Sequence, residues 1–299
     1  MIRKVLSLLS GILSLLIGCV AFSACNSSDD EIEGTQGSSD LLAVSVMQEN
    51  NGGSIPLQSG DIGLFVLAND ASLMVTNRLM DVAGGNVANP CAEGSRYIAY
   101  APYREDWNNA LTEFSAFHIP SDQSVQEEYE KSDFIAGVLD NSKNSAQNEI
   151  TLTHLLSKVV VSVVDETGNY DFKTGTSLHL LGMKNVTTVD LNIPSATTID
   201  ELSSDIDMYG CEATDRRLTA KAIVAPQQKN GAEYWIKLNL GKLNYLYRQE
   251  LALEAGKKTT IKLRFTNEGL MPGGTSVTDW EADDNGSELD AEEYPYSCR

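Results

Sequence analysis

From Leu41 onward the chain is a succession of short apolar runs, each ended by Gly, Asn, Asp or Pro. The first run, Leu41–Gln48, alternates. Leu42, Val44 and Val46 share one face at a period of two, and Ala43 and Ser45 between them are small or polar. That is the pattern of a half-buried β-strand. Further strands are predicted at Ile62–Leu67, Leu73–Asn77, Tyr97–Tyr100, Phe134–Leu139 and Ile150–Thr153. A second group falls at Lys158–Val164, Ser177–Leu181, Thr187–Leu191, Lys221–Val224, Tyr234–Leu240, Tyr245–Leu253, Thr259–Phe265 and Ser276–Trp280. Strand-length runs of Val, Ile, Leu and Tyr separated by turn residues predict an all-β sandwich or barrel, not βαβ units. One short helix is predicted at Val125–Lys131, where Ser or Asp from Ser121-Asp122-Gln123-Ser124 would act as its cap.

The part of the chain that can fold, about 260 residues, exceeds a usual β-sandwich and implies two domains. The polar stretch Asn141–Glu149, apolar only at Ala146, is the best boundary. It gives an N-terminal unit over 41–147 and a C-terminal unit over 148–299. Residues 25–40 are rich in Ser, Gly, Asp and Glu and read as a flexible acidic tether, reaching roughly 20 Å as a coil. The first strand therefore lies between this tether and the Gly- and Asn-rich loop that begins at Glu49. A terminal strand so placed can leave or be replaced without disturbing the rest, although an ordinary first strand fits the same residues.

Before the tether, Arg3 and Lys4 precede an apolar run from Val5 to Phe22, and the run ends in Phe22-Ser23-Ala24-Cys25. Basic charge, apolar core, small residues and a cleavage point form a secretory signal over 1–24. A run of this length can also just span a bilayer as an uncleaved anchor. The glycines and serines inside it, and the small-residue exit, favour cleavage. A cysteine directly after the small residues is the acceptor pattern of a bacterial lipoprotein. Cys19, after Leu16-Ile17-Gly18, is a second candidate, but cutting there leaves an apolar Val20-Ala21-Phe22 at the new terminus. Cys25 is followed at once by the polar tether and is taken as the lipid-attachment residue, with the outer membrane and cell surface as the expected location.

The formal charge is −20, from 22 basic and 42 acidic residues. Removing the signal takes away two basic residues and no acid, leaving −22. A surface of that sign repels a phosphate backbone, so nucleic acid is excluded as a partner. Cys91, Cys211 and Cys298 remain beyond the signal. Export permits disulfides, and either one pair with a leftover thiol or three thiols fits an odd number.

No catalytic signature appears. His118, His154 and His179 are scattered, and there is no nucleophile elbow, phosphate loop or dinucleotide glycine pattern. No cofactor or metal is expected. Glu281, Asp283, Asn285, Gly286 and Glu292 have calcium-loop spacing. However, the first position should be Asp and a helix should precede it, so an acidic solvated tail explains them better. Tyr97, Tyr100, Tyr103 and Trp107 form either a glycan-stacking platform or, more simply, core and rim residues of a sandwich.

Five short segments together resemble the fimbrillin family, the type V pilins of Gram-negative anaerobes. Asp61-Ile62-Gly63-Leu64-Phe65-Val66 resembles its early strand, and Tyr100-Ala101-Pro102-Tyr103 its Tyr-x-Pro-Tyr. His154-Leu155-Leu156-Ser157-Lys158-Val159 resembles its most distinctive strand. Val224-Ala225-Pro226-Gln227 and Thr278-Asp279-Trp280 complete the set. The resemblance implies two tandem transthyretin-like β-sandwich domains in a surface lipoprotein. It further implies a fimbrial subunit, or an accessory, anchor or tip component, that serves adhesion. Partners would be other fimbrial subunits, met by exchange of the first strand (Leu42, Val44, Val46) for a neighbour's, and a host or bacterial surface receptor. In polymerising members a trypsin-like protease cuts after an Arg behind the first strand. Here no Lys or Arg occurs between Cys25 and Asn77, and the first is Arg78. A surface glycan-binding lipoprotein is the alternative reading.

Overall fold

The computed structural model describes residues 41–48, 53–91, 93–141 and 149–280, the side chains of Val46, Met47, Gln48 and Cys211 excepted. The proposed lipid-attachment residue Cys25, its rival Cys19, Cys298 and the calcium-like positions from Glu281 to Glu292 lie outside the described residues. The described residues are all-β apart from one short helix. In order come β1 (Leu41–Gln48), β2 (Gly53–Pro56), β3 (Ser59–Leu67), β4 (Leu73–Ala83), β5 (Asn86–Ala88), β6 (Arg96–Ala101) and β7 (Ser115–His118). Helix α1 (Gln126–Lys131), β8 (Ile135–Asp140) and β9 (Glu149–His154) follow. Next come β10 (Ser157–Asp165), β11 (Thr176–Lys184), β12 (Val186–Asp190), β13 (Ser195–Thr198), β14 (Ser203–Asp207), β15 (Tyr209–Ala213) and β16 (Arg217–Val224). The last are β17 (Gln227–Lys229), β18 (Ile236–Leu240), β19 (Leu243–Tyr247), β20 (Leu251–Leu253), β21 (Lys257–Thr266) and β22 (Gly269–Asp279).

The first sheet runs β2-β1-β5-β4-β3-β6-β8-β9, and β1 also pairs with β9, so the sheet closes on itself. Leu42, Val44, Ile62, Leu64, Val66, Ile150 and Leu152 fill its interior. The second half is built on a five-stranded sheet, β15-β16-β10-β21-β22, facing a four-stranded one, β14-β11-β18-β19. Val159, Val161, Val163, Trp235, Ile261, Leu263 and Phe265 pack between them. A third core joins the halves, drawing Phe65, Tyr100, Trp107, Phe117 and Phe134 together with Leu156, Val189, Ile223 and Trp280.

Strand pairing crosses 147/148. Strand β9, just past that boundary, pairs with β1 and β8 of the first sheet. Sheet membership changes after it, at the buried pair Leu155–Leu156. Strand β7, well before the boundary, pairs with β12 in the second half, Thr187 opposite Phe117. Gln123 adds a second tie: its wholly buried amide donates to the Ile223 carbonyl and accepts from the Ile223 N–H, both at 2.8 Å. Polar composition marked a loop, but the strand after it carries Ile150 and Leu152 into the first core.

Other expectations are corrected by local chemistry. The residue entering α1 is Val125, with extended backbone and no side-chain cap. Asp122 instead accepts from the Ser124 N–H and hydroxyl, closing a turn short of the helix. Strand β4 does not stop at Asn77 but passes through it with a positive φ of 38°, a conformation Asn tolerates better than most residues. The single run Tyr245–Leu253 is two strands in different sheets. It breaks where Arg248 donates to the Ala232 carbonyl and the Gln249 carbonyl accepts from the Trp235 indole.

Candidate functional site

Strand β1 spans the residues its alternation predicts, and its neighbours make it the closing piece of the first sheet. On one edge Leu41–Ala43 pair antiparallel with β5 and Ser45–Gln48 with β2. On the other edge Ala43–Val46 run parallel to β9, Val44 opposite Ile150. Leu42 and Val44 are 1% and 0% exposed, whereas Leu41 is half exposed. Ser45, assigned by alternation to the polar face, is also buried and shares a hydrogen bond with Thr151. Both edges and the apolar face of β1 are thus engaged. Taking it out would expose two lines of unpaired N–H and C=O groups flanking an apolar slot.

The segments singled out in the sequence converge on the seam between the halves. A cleft of about 790 Å³ is lined by Asp61, Ala101, Pro102, Lys158 and Trp280, which come from four of the five. The His154 ring lies flat on Trp280, centroids 4.2 Å apart and planes 11° apart, while its Nδ1 is 3.0 Å from Asp133. The Lys158 ammonium stands 5.5 Å from the Trp280 ring centre. Lys221 lies 4.5 Å from that of Tyr129 and 5.5 Å from that of Tyr209. Such cation–ring contacts stabilise a charge removed from water. On the rim Lys131 pairs with Glu127 and Glu128.

Three of the four aromatic residues that begin at Tyr97 take the core alternative and not that of a glycan platform. Tyr97, Tyr100 and Trp107 are buried, and Tyr100 stacks on Trp107 and Phe134 inside the shared core. The Tyr100 hydroxyl donates to Asn77 at 2.6 Å and accepts from the Arg104 N–H. Burial pushes its pKa above the usual phenol value.

One arrangement escaped the sequence reading. His179 Nδ1 is 2.5 Å from Asp207, and its Nε2 is 2.8 Å from the Ser177 hydroxyl. The distances are those of a Ser-His-Asp triad, but Asn239 donates to the same Nε2 at 2.8 Å and to Ser177 at 3.2 Å. All four side chains stand on one sheet, where β14, β11 and β18 pair in register. The cluster joins three strands by polar contacts. The only sequence signal was Ser and His two apart on one strand face. His118 is exposed at the end of β7.

Cys91 is buried with its sulfur 3.9 Å from that of Met74. Among the described residues no group of His, Cys, Asp and Glu is placed to hold a metal ion. No helix among them is long and apolar enough to cross a membrane.

A fimbrillin-like family model matches residues 92–280, more than half of the chain. The chain belongs to the fimbrillin-like family. No curated protein matches it. Among solved structures, a candidate cell adhesion protein from Bacteroides uniformis is 19% identical with a TM-score of 0.59, covering 82% of this chain and 100% of its own. Another from Bacteroides ovatus is 14% identical with a TM-score of 0.60, covering 81% and 96%. These likenesses show a shared fold. The fimbrillin-like match begins after β5 and ends on Trp280, so it includes the His154–Trp280 stack but not β1.

Proposed function

We propose that the chain is a fimbrial subunit, or an accessory, anchor or tip component, displayed on the outer membrane by a lipid on Cys25 and serving adhesion. It assembles by strand exchange. Its two halves are read as tandem transthyretin-like β-sandwich domains, the first ending with β9. The observation that carries the reading is the position of β1, engaged on both edges and through Leu42 and Val44. Val46, on the same alternating face, is assigned to the same set from sequence. A neighbour's extended strand in that slot would restore both the ladder and the apolar contact, the chemistry of strand addition to an open sheet. The partners are accordingly other fimbrial subunits, and a surface receptor for adhesion.

The chain departs from the polymerising pattern behind β1, where it has no Lys or Arg before Arg78. Arg78 lies within β4, opposite Leu64. An arginine-specific protease therefore finds no extended loop to cut, which favours an anchor, tip or accessory position over the shaft. The test is to insert an Arg between Gly52 and Gly53, treat with trypsin, and follow size by chromatography and SDS-resistant laddering. The native sequence should stay monomeric, and the insert should lose β1 and grow into oligomers. Oligomers from uncut native protein with β1 in place would refute strand exchange.

A further inference from the structure

Strand β17 ends at Lys229 and β18 begins at Ile236, and the turn between them opens with Asn230-Gly231. Residues 230–233 are exposed. The Asn230 Oδ1 accepts from the Ala232 N–H at 2.9 Å and from the Glu233 N–H at 3.1 Å. Asn side chains commonly close turns in this way. Here the arrangement leaves the other end of the carboxamide free. Among the described residues neither Nδ2 of Asn230 nor the N–H of Gly231 has a hydrogen-bond partner. The turn is held from outside the pair, by Arg248 donating to the Ala232 carbonyl at 2.8 Å. Gly231 has no side chain to shield its nitrogen.

We propose that Asn230 is a site of spontaneous deamidation, in which the Gly231 nitrogen attacks the Asn230 side chain. The Gly231 N–H gives up its proton to water, and the nitrogen bonds to Cγ of Asn230 and closes a ring. Negative charge develops on Oδ1, where the Ala232 and Glu233 N–H groups already point. Two such donors stabilise an oxyanion. Nδ2 then takes a proton and leaves as ammonia, and a succinimide remains. Water opens the ring at either carbonyl and gives Asp or isoaspartate at position 230. The step needs no oxidant, metal or enzyme. An Asp carboxylate keeps both N–H donors and holds them more strongly than the amide did. The isoaspartyl form instead puts an extra methylene into the main chain between β17 and β18. Asn192 is the contrast within the chain. Its Nδ2 is tied to the Leu111 carbonyl at 2.7 Å, and the residue after it is the branched Ile193.

Incubating the full chain at mildly alkaline pH tests this, with samples cut by pepsin in acid, where the reaction stops, and read by mass spectrometry. The peptide holding Asn230 should gain the mass difference between NH2 and OH. Asp and isoaspartate should both be present, the second recognised by an isoaspartyl methyltransferase. Asn192 should remain an amide over the same period. In the native chain Asn230 should convert at least as fast as in the chain held unfolded in guanidinium, because the turn presents both donors in advance. Gly231→Ala should slow the conversion about tenfold or more, since its methyl obstructs the approach of the nitrogen. That variant keeps the fold: a Cβ on Gly231 would lie 3.7 Å from its nearest neighbour, the Glu250 nitrogen. An Asn230 that folding protects overturns the proposal. So do equal rates in the native chain and Gly231→Ala, and so does Asp formed without isoaspartate, the outcome of direct hydrolysis.

Discussion

Gly63 passes under Tyr100 so closely that a Cβ on Gly63 would stand 2.2 Å from Cε1 of the ring. The two residues are cross-strand partners in β3 and β6, and the ring has no room to retreat, because it stacks on Trp107 and Phe134. Gly63→Ala should therefore destabilise the protein by about 1–3 kcal/mol, the usual cost of overpacking. Gly210→Ala, where a Cβ meets nothing within 4 Å, should stay within about 0.5 kcal/mol. Urea unfolding of both variants measures the difference.

The same ring makes stability depend on alkaline pH. Burial raises the Tyr100 pKa in the folded protein, whereas the unfolded phenol titrates near about 10. The folded state thus holds a proton that the unfolded state releases. The contribution is complete below about pH 10 and is lost as pH rises further. Tyr100→Phe should flatten the fall in melting temperature above that pH. At neutral pH it should cost about 1–3 kcal/mol, because Asn77 and the Arg104 N–H lose their partner. Equal alkaline slopes in the two proteins would contradict this assignment.

Neighbouring leucines at the start of β1 should behave in opposite ways. Leu42→Ala removes a side chain from the first core and should cost about 2–5 kcal/mol. Leu41→Ala, half exposed, should change stability by no more than about 0.5 kcal/mol. Thermal melts of the pair check both the register of β1 and the burial on which the proposed strand exchange depends.

Trp280 closes the shared core by covering His154 and Lys158. Trp280→Ala should cost about 3–5 kcal/mol. Because the stack joins the end of β9 to the end of β22, the loss should appear as faster proteolysis at the seam before the second core opens. Limited digestion followed by mass spectrometry would show the order of cleavage.

At the proposed anchor, Cys25→Ala should abolish labelling by a radioactive or clickable fatty acid and release the protein from the outer membrane. Cys19→Ala should leave both unchanged. Loss of label in Cys19→Ala alone would move the acceptor to that residue.

Much of this was legible in local pattern. The alternation of Leu42 and Val44 predicts β1, and the unbroken Val159-Val160-Val161 carries a further signal. A strand apolar on both faces is covered on both, and Val160, opposite Lys221 in β16, is buried. What could not be read depends on partners distant in sequence. Asn77 looks like a strand end until Tyr100 and Arg104 are seen holding it within β4. Ser115–His118 gives too short a signal to be a strand without β12 beside it. Ser177, His179, Asp207 and Asn239 meet only because three strands are in register.

The closure of the first sheet has a consequence in time. Ser45 and Thr151 touch across 106 positions of sequence, and the parallel edge of β1 cannot form before β9 exists. As the chain leaves the ribosome or crosses a membrane from its N-terminus, β1 emerges early and yet is seated late. Contacts this distant in sequence are also the slow ones to form. Through that interval the edge of β9 that carries Ile150 stands open, and the first sheet closes only when the strand made first returns to it.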